Sequence, residues 1–385
     1  MDYEKQIMLE EIKLQPGFVK QNAGPTLNNL LTALESRDLS RINHIFITGC
    51  GDSYYSALAN RMSLMETTGV YVEAIEALEF SRYVVNHMPA NSAVIGVSNS
   101  GTVSRTIEAV ARARQKGALT FAITTKMEAP LAQAADIPLI VNSPPNIKER
   151  PDGPPVVTPG TVTYVASLVG VYGVGLAMGL RLGNLNENAA KVRLAELERL
   201  SDDMSVTIES LTPAIHNYAI RLAPHKRVII LGGGPNFATA HFGVAKLFEA
   251  LRHPASAVEM EEWAHEEYFV TDQDAEVFVI VPPGNLRDRA FEQMKAAKDM
   301  GATVIAIGSE KDSELFSVAD AVFAIKGQIS ESLSPFLYCI PFELFARSLS
   351  QVRNRAFLGF DDGRRREVNF RQIFNSQIRP LEGRK

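Results

Sequence analysis

Apolar positions along this chain follow two alternating rhythms. Short β-branched runs such as HIFITG, AVIGV, ALTFAIT and RVIILG end in Gly, Ser or Pro, and longer stretches such as VSRTIEAVARARQKG and RDRAFEQMKAAKDMG space their apolar residues three and four apart. Uninterrupted apolar runs predict strands buried on both faces, and the three-to-four spacing predicts amphipathic helices. Strand, tight turn and helix in alternation predict an α/β fold, a parallel sheet flanked by helices.

The pattern also repeats. HIFITGCGDS matches RVIILGGGPN, with Gly49 and Gly232 offset by 183 residues. AVIGVSNSG matches VFVIVPPGN, KGALTFAITT matches MGATVIAIGS, and AADIPLIV matches VADAVFAI, and the pairs Val97 and Val281, Gly117 and Gly301, and Asp136 and Asp320 are each 184 apart. Duplication at this period predicts two similar α/β domains in tandem. The expected boundaries are 1–190 for the first with an N-terminal helical segment, 191–212 for a helical linker, 213–355 for the second and 356–385 for a tail. In such sheets ligands sit outside the carboxyl ends of the strands, where the Gly-rich turns lie.

Charge and composition narrow the partners. The 44 acids against 39 bases leave a net charge of −5, with no basic excess of the kind that attracts nucleic acid or an anionic membrane. Cys50 and Cys339 are far apart without CxxC spacing, so neither a disulfide framework nor a zinc site is expected. The apolar run TYVASLVGVYGVGLAMGLRLG approaches span length, but its five glycines and polar flanks predict a buried core helix. The first residues, MDYEKQIMLEEIKLQPGF, lack the apolar core of a signal peptide, so a cytoplasmic protein is expected.

Two regions carry candidate chemistry. In AVIGVSNSGTVSRTIEAV, Ser98, Asn99, Ser100, Gly101, Thr102 and Ser104 lie between a strand and a helix. Helix N-terminal N–H groups and small hydroxyls hold phosphate, with Arg105 in reach as a further donor; the same residues also serve as ordinary helix caps. A second turn, TGCGDSYYSAL, departs from GxGxxG at Ser53 and Tyr54, and no acid is read at the end of the following strand, so a nicotinamide cofactor is not expected. The matching turns of the second domain, LGGGPNFATA and VPPGNLRDRA, lack the run of hydroxyls.

The other region is KLFEALRHPASAVEMEEWAHEEYF at 246–269. Lys246 and Glu249 share a helix face in the less favourable order for a surface ion pair. His265 follows Glu249 by sixteen residues, beside the single tryptophan, Trp263. A carboxylate and an imidazole suit proton transfer next to a sugar carbonyl, whereas a histidine beside a tryptophan also suits simple packing. Most of the remaining glutamates read as a solvated rim.

The duplicated layout, the loop VSNSG and the KLFEAL block with its trailing histidine resemble the SIS (sugar isomerase) family, in particular the isomerase half of glucosamine-6-phosphate synthase and its stand-alone deglycase and deaminase/isomerase relatives. The resemblance implies two tandem flavodoxin-like three-layer domains and a homodimer with shared active sites. It implies that Ser98, Asn99, Ser100 and Thr102 or Ser104 hold a sugar phosphate, and that Cys50, Gly51 and Ser53 line the same pocket. It gives Glu249 the proton transfer between C1 and C2, with Lys246 beside it and His265 arriving from the neighbouring subunit; no metal or organic cofactor is implied. The family's C-terminal lysine is replaced by Asn375, the only later lysine being Lys385, and the glutaminase half is not matched. A substrate already carrying nitrogen is therefore expected, with a nitrogen-free sugar phosphate or a phosphosugar-sensing role as alternatives.

Overall fold

A computed structural model describes residues 3–142, 147–148 and 156–378, which form two compact units. The first comprises Phe18–Pro145, Thr163–Glu198 and Asp362–Lys385, and the second Met1–Gly17, Asn146–Val162 and Arg199–Asp361. Lys385 and the other residues after 378 lie outside the described residues.

After helix α1 (Tyr3–Ala33), the first unit runs β1 (His44–Gly49), α2 (Asp52–Thr68), β2 (Tyr71–Glu76), α3 (Ala77–Arg82), β3 (Ser92–Val97), α4 (Ser104–Gln115), β4 (Leu119–Thr124), α5 (Pro130–Ala134), β5 (Ile137–Ile140) and α6 (Val162–Leu182). Helix α7 (Glu187–Arg221) passes from one unit into the other. The second unit continues with β6 (Arg227–Gly232), α8 (Pro235–Leu251), β7 (Ala255–Glu259), α9 (Met260–His265), β8 (Ala275–Val281), α10 (Arg287–Asp299), β9 (Thr303–Ser309), α11 (Ser313–Phe316), β10 (Ala321–Ile325), α12 (Pro335–Tyr338) and α13 (Ile340–Val352). Helix α14 (Gly363–Phe374) belongs to the first unit.

Both sheets are five-stranded and parallel, in the orders β2-β1-β3-β4-β5 and β7-β6-β8-β9-β10. The predicted α/β duplication is therefore what the chain folds into. Central strands β3 and β8 are buried along their whole length, which is why their sequences do not alternate. Phe46, Ile75, Phe80 and Val94 pack in the first unit; Leu231, Trp263, Val277 and Met294 pack in the second.

The matched aspartates show that the repeat reaches side-chain detail. Asp136 accepts from the Thr120 backbone N–H at 3.0 Å and pairs with Arg114 at 2.8 Å. Asp320, at the same place in the second unit, accepts from the Val304 N–H at 2.9 Å and pairs with Lys298 at 2.7 Å.

Helix α6 is long and apolar enough to cross a membrane, but 83% of its apolar window is buried inside the fold. Its glycines permit close approach: a Cβ on Gly179 would stand 2.4 Å from the Thr67 carbonyl oxygen.

At the end of α8, Arg252 turns left-handed (φ 57°) and buries His253, whose Nδ1 lies 3.0 Å from Arg353 Nη1. A guanidinium only donates, so Nδ1 accepts and the ring is neutral. Burial, then the Arg353 charge, pull the His253 pKa down to about 4. The unfolded ring takes a proton near pH 6.5 and the folded one does not, so stability falls as pH drops from about 6.5 to about 4, by on the order of 1 kcal/mol per pH unit. Urea melts at pH 7 and pH 4.5 should show this loss in the wild type and a smaller one in His253→Gln.

Candidate functional site

Strand order reverses between β1 and β3, so the turns after these strands open a crevice at the carboxyl edge of the first sheet. In the first turn, Gly51 has φ 55° and precedes α2 without a side-chain cap. Ser53 is half-buried on the opening turn of α2. Cys50 is half-buried, its Sγ 3.2 Å from Glu76 Oε1. Burial, then the Glu76 carboxylate, push the Cys50 thiol up to about 12. It is therefore a protonated donor rather than a nucleophile.

Glu76 corrects the sequence reading. It closes β2, where no acid was read, and caps α3 by accepting from Leu78 N at 2.7 Å and Glu79 N at 3.2 Å. Its signal is internal: Glu259 ends β7 and caps α9 in the same way, accepting from Glu261 N at 2.7 Å. A carboxylate already committed to a cap and a thiol is poorly placed to hold a ribose, so the nicotinamide reading gains nothing from it.

In the turn after β3, Gly101 has φ 64°, and a Cβ there would stand 2.5 Å from Ala129 Cβ and 2.6 Å from Thr124 Oγ1. Buried Ser98 accepts from the Gly101 N–H through its Oγ at 3.2 Å. Asn99 gives both hydrogens of its amide inward, to the Thr163 carbonyl at 2.8 Å and Ser167 Oγ at 2.9 Å. Ser104 gives its hydroxyl hydrogen to the Phe374 carbonyl at 2.9 Å. Asn99 and Ser104 thus brace the loop. Exposed Ser100 and Thr102 bond to each other at 2.9 Å, which uses one hydroxyl hydrogen and leaves the other to give.

Helix α4 begins after Val103 with no side-chain cap. The capping reading of these hydroxyls therefore fails, and the first-turn N–H groups of a 12-residue helix open beside Ser100 and Thr102.

Arg105 is already engaged by other acceptors. Its guanidinium pairs with Glu108 and donates to the Gln377 carbonyl and, at 3.4 Å, to that of Ser376. The segment after α14 is thereby tied to the start of α4, and Asn375 caps α14 in an exposed position. Glu108, 1% exposed, also pairs with Arg82 at 2.9 Å and Arg112 at 2.8 Å.

The second unit places the other candidates. Lys246 is 0% exposed, on a face of α8 with Glu249, which is 30% exposed. Lys246 Nζ donates to Glu249 Oε2 at 2.6 Å and to the Gly160 carbonyl at 3.0 Å, and stands 4.8 Å from the centre of the Phe242 ring. The less favourable order does not prevent the pair, because this is a buried ammonium and not a surface one. His265 is 67% exposed on the last turn of α9, not on a loop, 3.5 Å from Glu261, which Arg289 grips at 2.7 and 3.0 Å. Trp263 points the other way, into the core, with its Nε1 donating to Thr271 Oγ1 at 3.2 Å. The packing reading thus belongs to the tryptophan alone.

Glu249 lies near the end of α8, before β7 in the chain, and His265 ends α9, after it, and no bond joins the two among the described residues. Glu262 also follows β7, on α9 with His265. Among the described residues no cluster of three or more His, Cys, Asp or Glu has the arrangement of a metal site.

The SIS domain profile matches residues 38–169 and 221–353. The chain is 27% identical over 355 residues to a glutamine--fructose-6-phosphate aminotransferase [isomerizing] of Mycolicibacterium paratuberculosis, covering 90% of this chain and 55% of that protein. The chain thus spans about half the length of that relative. Among solved structures, the C-terminal domain of glucosamine-fructose-6-phosphate aminotransferase from Francisella tularensis superposes with a TM-score of 0.79 at 18% identity, covering 93% of this chain and 98% of that one. Tagatose-6-phosphate ketose/aldose isomerase from Escherichia coli superposes at 0.69 with 18% identity, covering 97% and 96%.

Proposed function

Since the chain belongs to the SIS domain family, we propose that it is an enzyme acting on a phosphosugar, and more narrowly a deglycase or deaminase/isomerase that releases an amine from a fructosamine or amino-sugar 6-phosphate. The observation that carries this reading is the partly exposed Glu249 carboxylate held by the buried Lys246 ammonium. A side chain fixed by a charge-assisted bond and 30% exposed suits a base that must meet a substrate proton in one orientation.

Each residue then has a role. The uncapped start of α4 with Ser98, Ser100 and Thr102 takes the phosphate, and Asn99 and Ser104 keep the turn in shape. Cys50, Gly51 and Ser53 line the sugar side of that crevice, Cys50 as a neutral thiol whose hydrogen is held by Glu76. Glu249 moves the proton between C1 and C2 of the open chain. His265 opens the ring or protonates the leaving amine, and water completes hydrolysis of the C–N bond. On the family resemblance the enzyme is a homodimer in which His265 serves a second copy. Asn375, where the resembling synthases carry a lysine, supports a substrate that brings its own nitrogen.

The test is a screen of purified protein against fructosamine 6-phosphates and hexosamine 6-phosphates, reading released amine and hexose phosphate. Turnover of nitrogen-free sugar phosphates alone moves the assignment to an aldose–ketose isomerase. Ligand-raised melting without turnover across the panel overturns the enzyme reading in favour of a sensor. With an active substrate in hand, the Ser100→Ala, Thr102→Ala double variant should raise KM about 10-fold with kcat nearly unchanged, since hydrogen bonds to a charged group contribute about 1.5 kcal/mol or more.

A further inference from the structure

The second unit has its own switch-point crevice, between the turns that follow β6 and β8, and a side chain occupies it. Glu331 opens the short 3-10 segment Glu331–Leu333. Its Oε2 accepts from the Asn285 backbone N–H at 3.1 Å and from Asn285 Nδ2 at 3.0 Å. A Cβ on Gly284 would stand 2.3 Å from that Oε2, and one on Gly234 would stand 3.9 Å from Oε1, so the carboxylate lies against both turns. Helices α8 and α10 both start here, after Gly234 and Leu286, and neither has a side-chain cap. Their N-terminal partial charges add to the attraction.

The internal repeat shows what has been exchanged. Gly284 and Asn285 stand 184 residues after Ser100 and Gly101. Where the first unit has a serine side chain, the second has a glycine, and the space is filled by a carboxylate from another segment. Among the described residues no carboxylate bonds to residues 98–102.

We propose that the second unit retains an anion-binding crevice of which Glu331 is the permanent occupant, so that the chain has one crevice open to a phosphate group and one closed by its own carboxylate. A tethered anion does not lose translational freedom on each encounter, so free phosphate competes with it poorly. With the carboxylate gone, the same donors fit inorganic phosphate or a phosphate monoester.

The experiment is a titration of inorganic phosphate into the full chain, wild type and Glu331→Ala, followed by calorimetry and phosphorus NMR. Glu331→Ala is expected to bind one phosphate per chain more than wild type, whatever number wild type binds. Glu331→Gln, which keeps a neutral acceptor on the Asn285 donors, is expected to gain none. If Glu331→Ala folds only poorly, phosphate or formate should restore a cooperative melt, and chloride at matched ionic strength should not. A folded Glu331→Ala with wild-type stoichiometry, or a melt that responds to chloride as it does to phosphate, overturns the proposal. Failure of the phosphosugar assignment reads differently, as a wild type that binds no phosphate beside a variant that binds one.

Discussion

Glu249→Gln is expected to reduce kcat by about 100- to 10,000-fold while phosphosugar affinity stays within a few-fold of wild type. The substitution keeps the shape of the side chain and an oxygen for Lys246 Nζ, now 2.6 Å away, but removes the group that accepts a proton. Loss of a positioned general base has this magnitude, and because the base acts on the proton rather than on the phosphate, the loss belongs in kcat and not in KM. A melting curve controls for the fold, since the buried Lys246 loses its charged partner at Glu249. Retained turnover in a folded Glu249→Gln sinks the proton-transfer role.

The second large effect is on stability. Glu108→Gln is expected to cost about 3 kcal/mol, read as a shift in the midpoint of urea unfolding. Three arginines from α3 and α4 converge on this one buried carboxylate, and Arg112 also donates to the Ser81 carbonyl at 2.8 Å. Removing the negative charge leaves a net positive cluster with little water to screen it. Burial already pulls Arg112 below its ordinary value, with Glu108 opposing that pull. Arg105 belongs to the same cluster and holds the Gln377 carbonyl, so faster amide exchange in α14 should accompany the loss. A change below about 1 kcal/mol would show that solvent, not Glu108, neutralises these arginines.

The turn at 98–104 shows how far local sequence reaches. Its serines, threonine and glycine announce a strand-to-helix turn, because Gly101 needs a left-handed backbone and small hydroxyls favour such turns. Which hydroxyls remain free depends on contacts with Thr163, Ser167 and Phe374, up to 270 residues away in the chain, so Asn99 and Ser104 read as ligand donors until the fold claimed them. Likewise Lys246 and Glu249 can be paired by spacing alone, but not the burial that makes the pair a fixed device.

Strand runs, helix spacing and the offset of 184 residues were enough to establish two similar parallel α/β sheets in tandem, since periodicity and duplication are properties of the chain itself, and the strand order came from the fold. The SIS relationship, too, could be read from motifs and their order. Only the tertiary structure decided that α4 starts uncapped, that Glu76 is spoken for, that Lys246 is buried against Glu249, and that Glu331 fills the second crevice. Each of these is a matter of which distant polar group satisfies which, and hydrogen-bond partners brought together across hundreds of residues leave no periodic trace in a sequence.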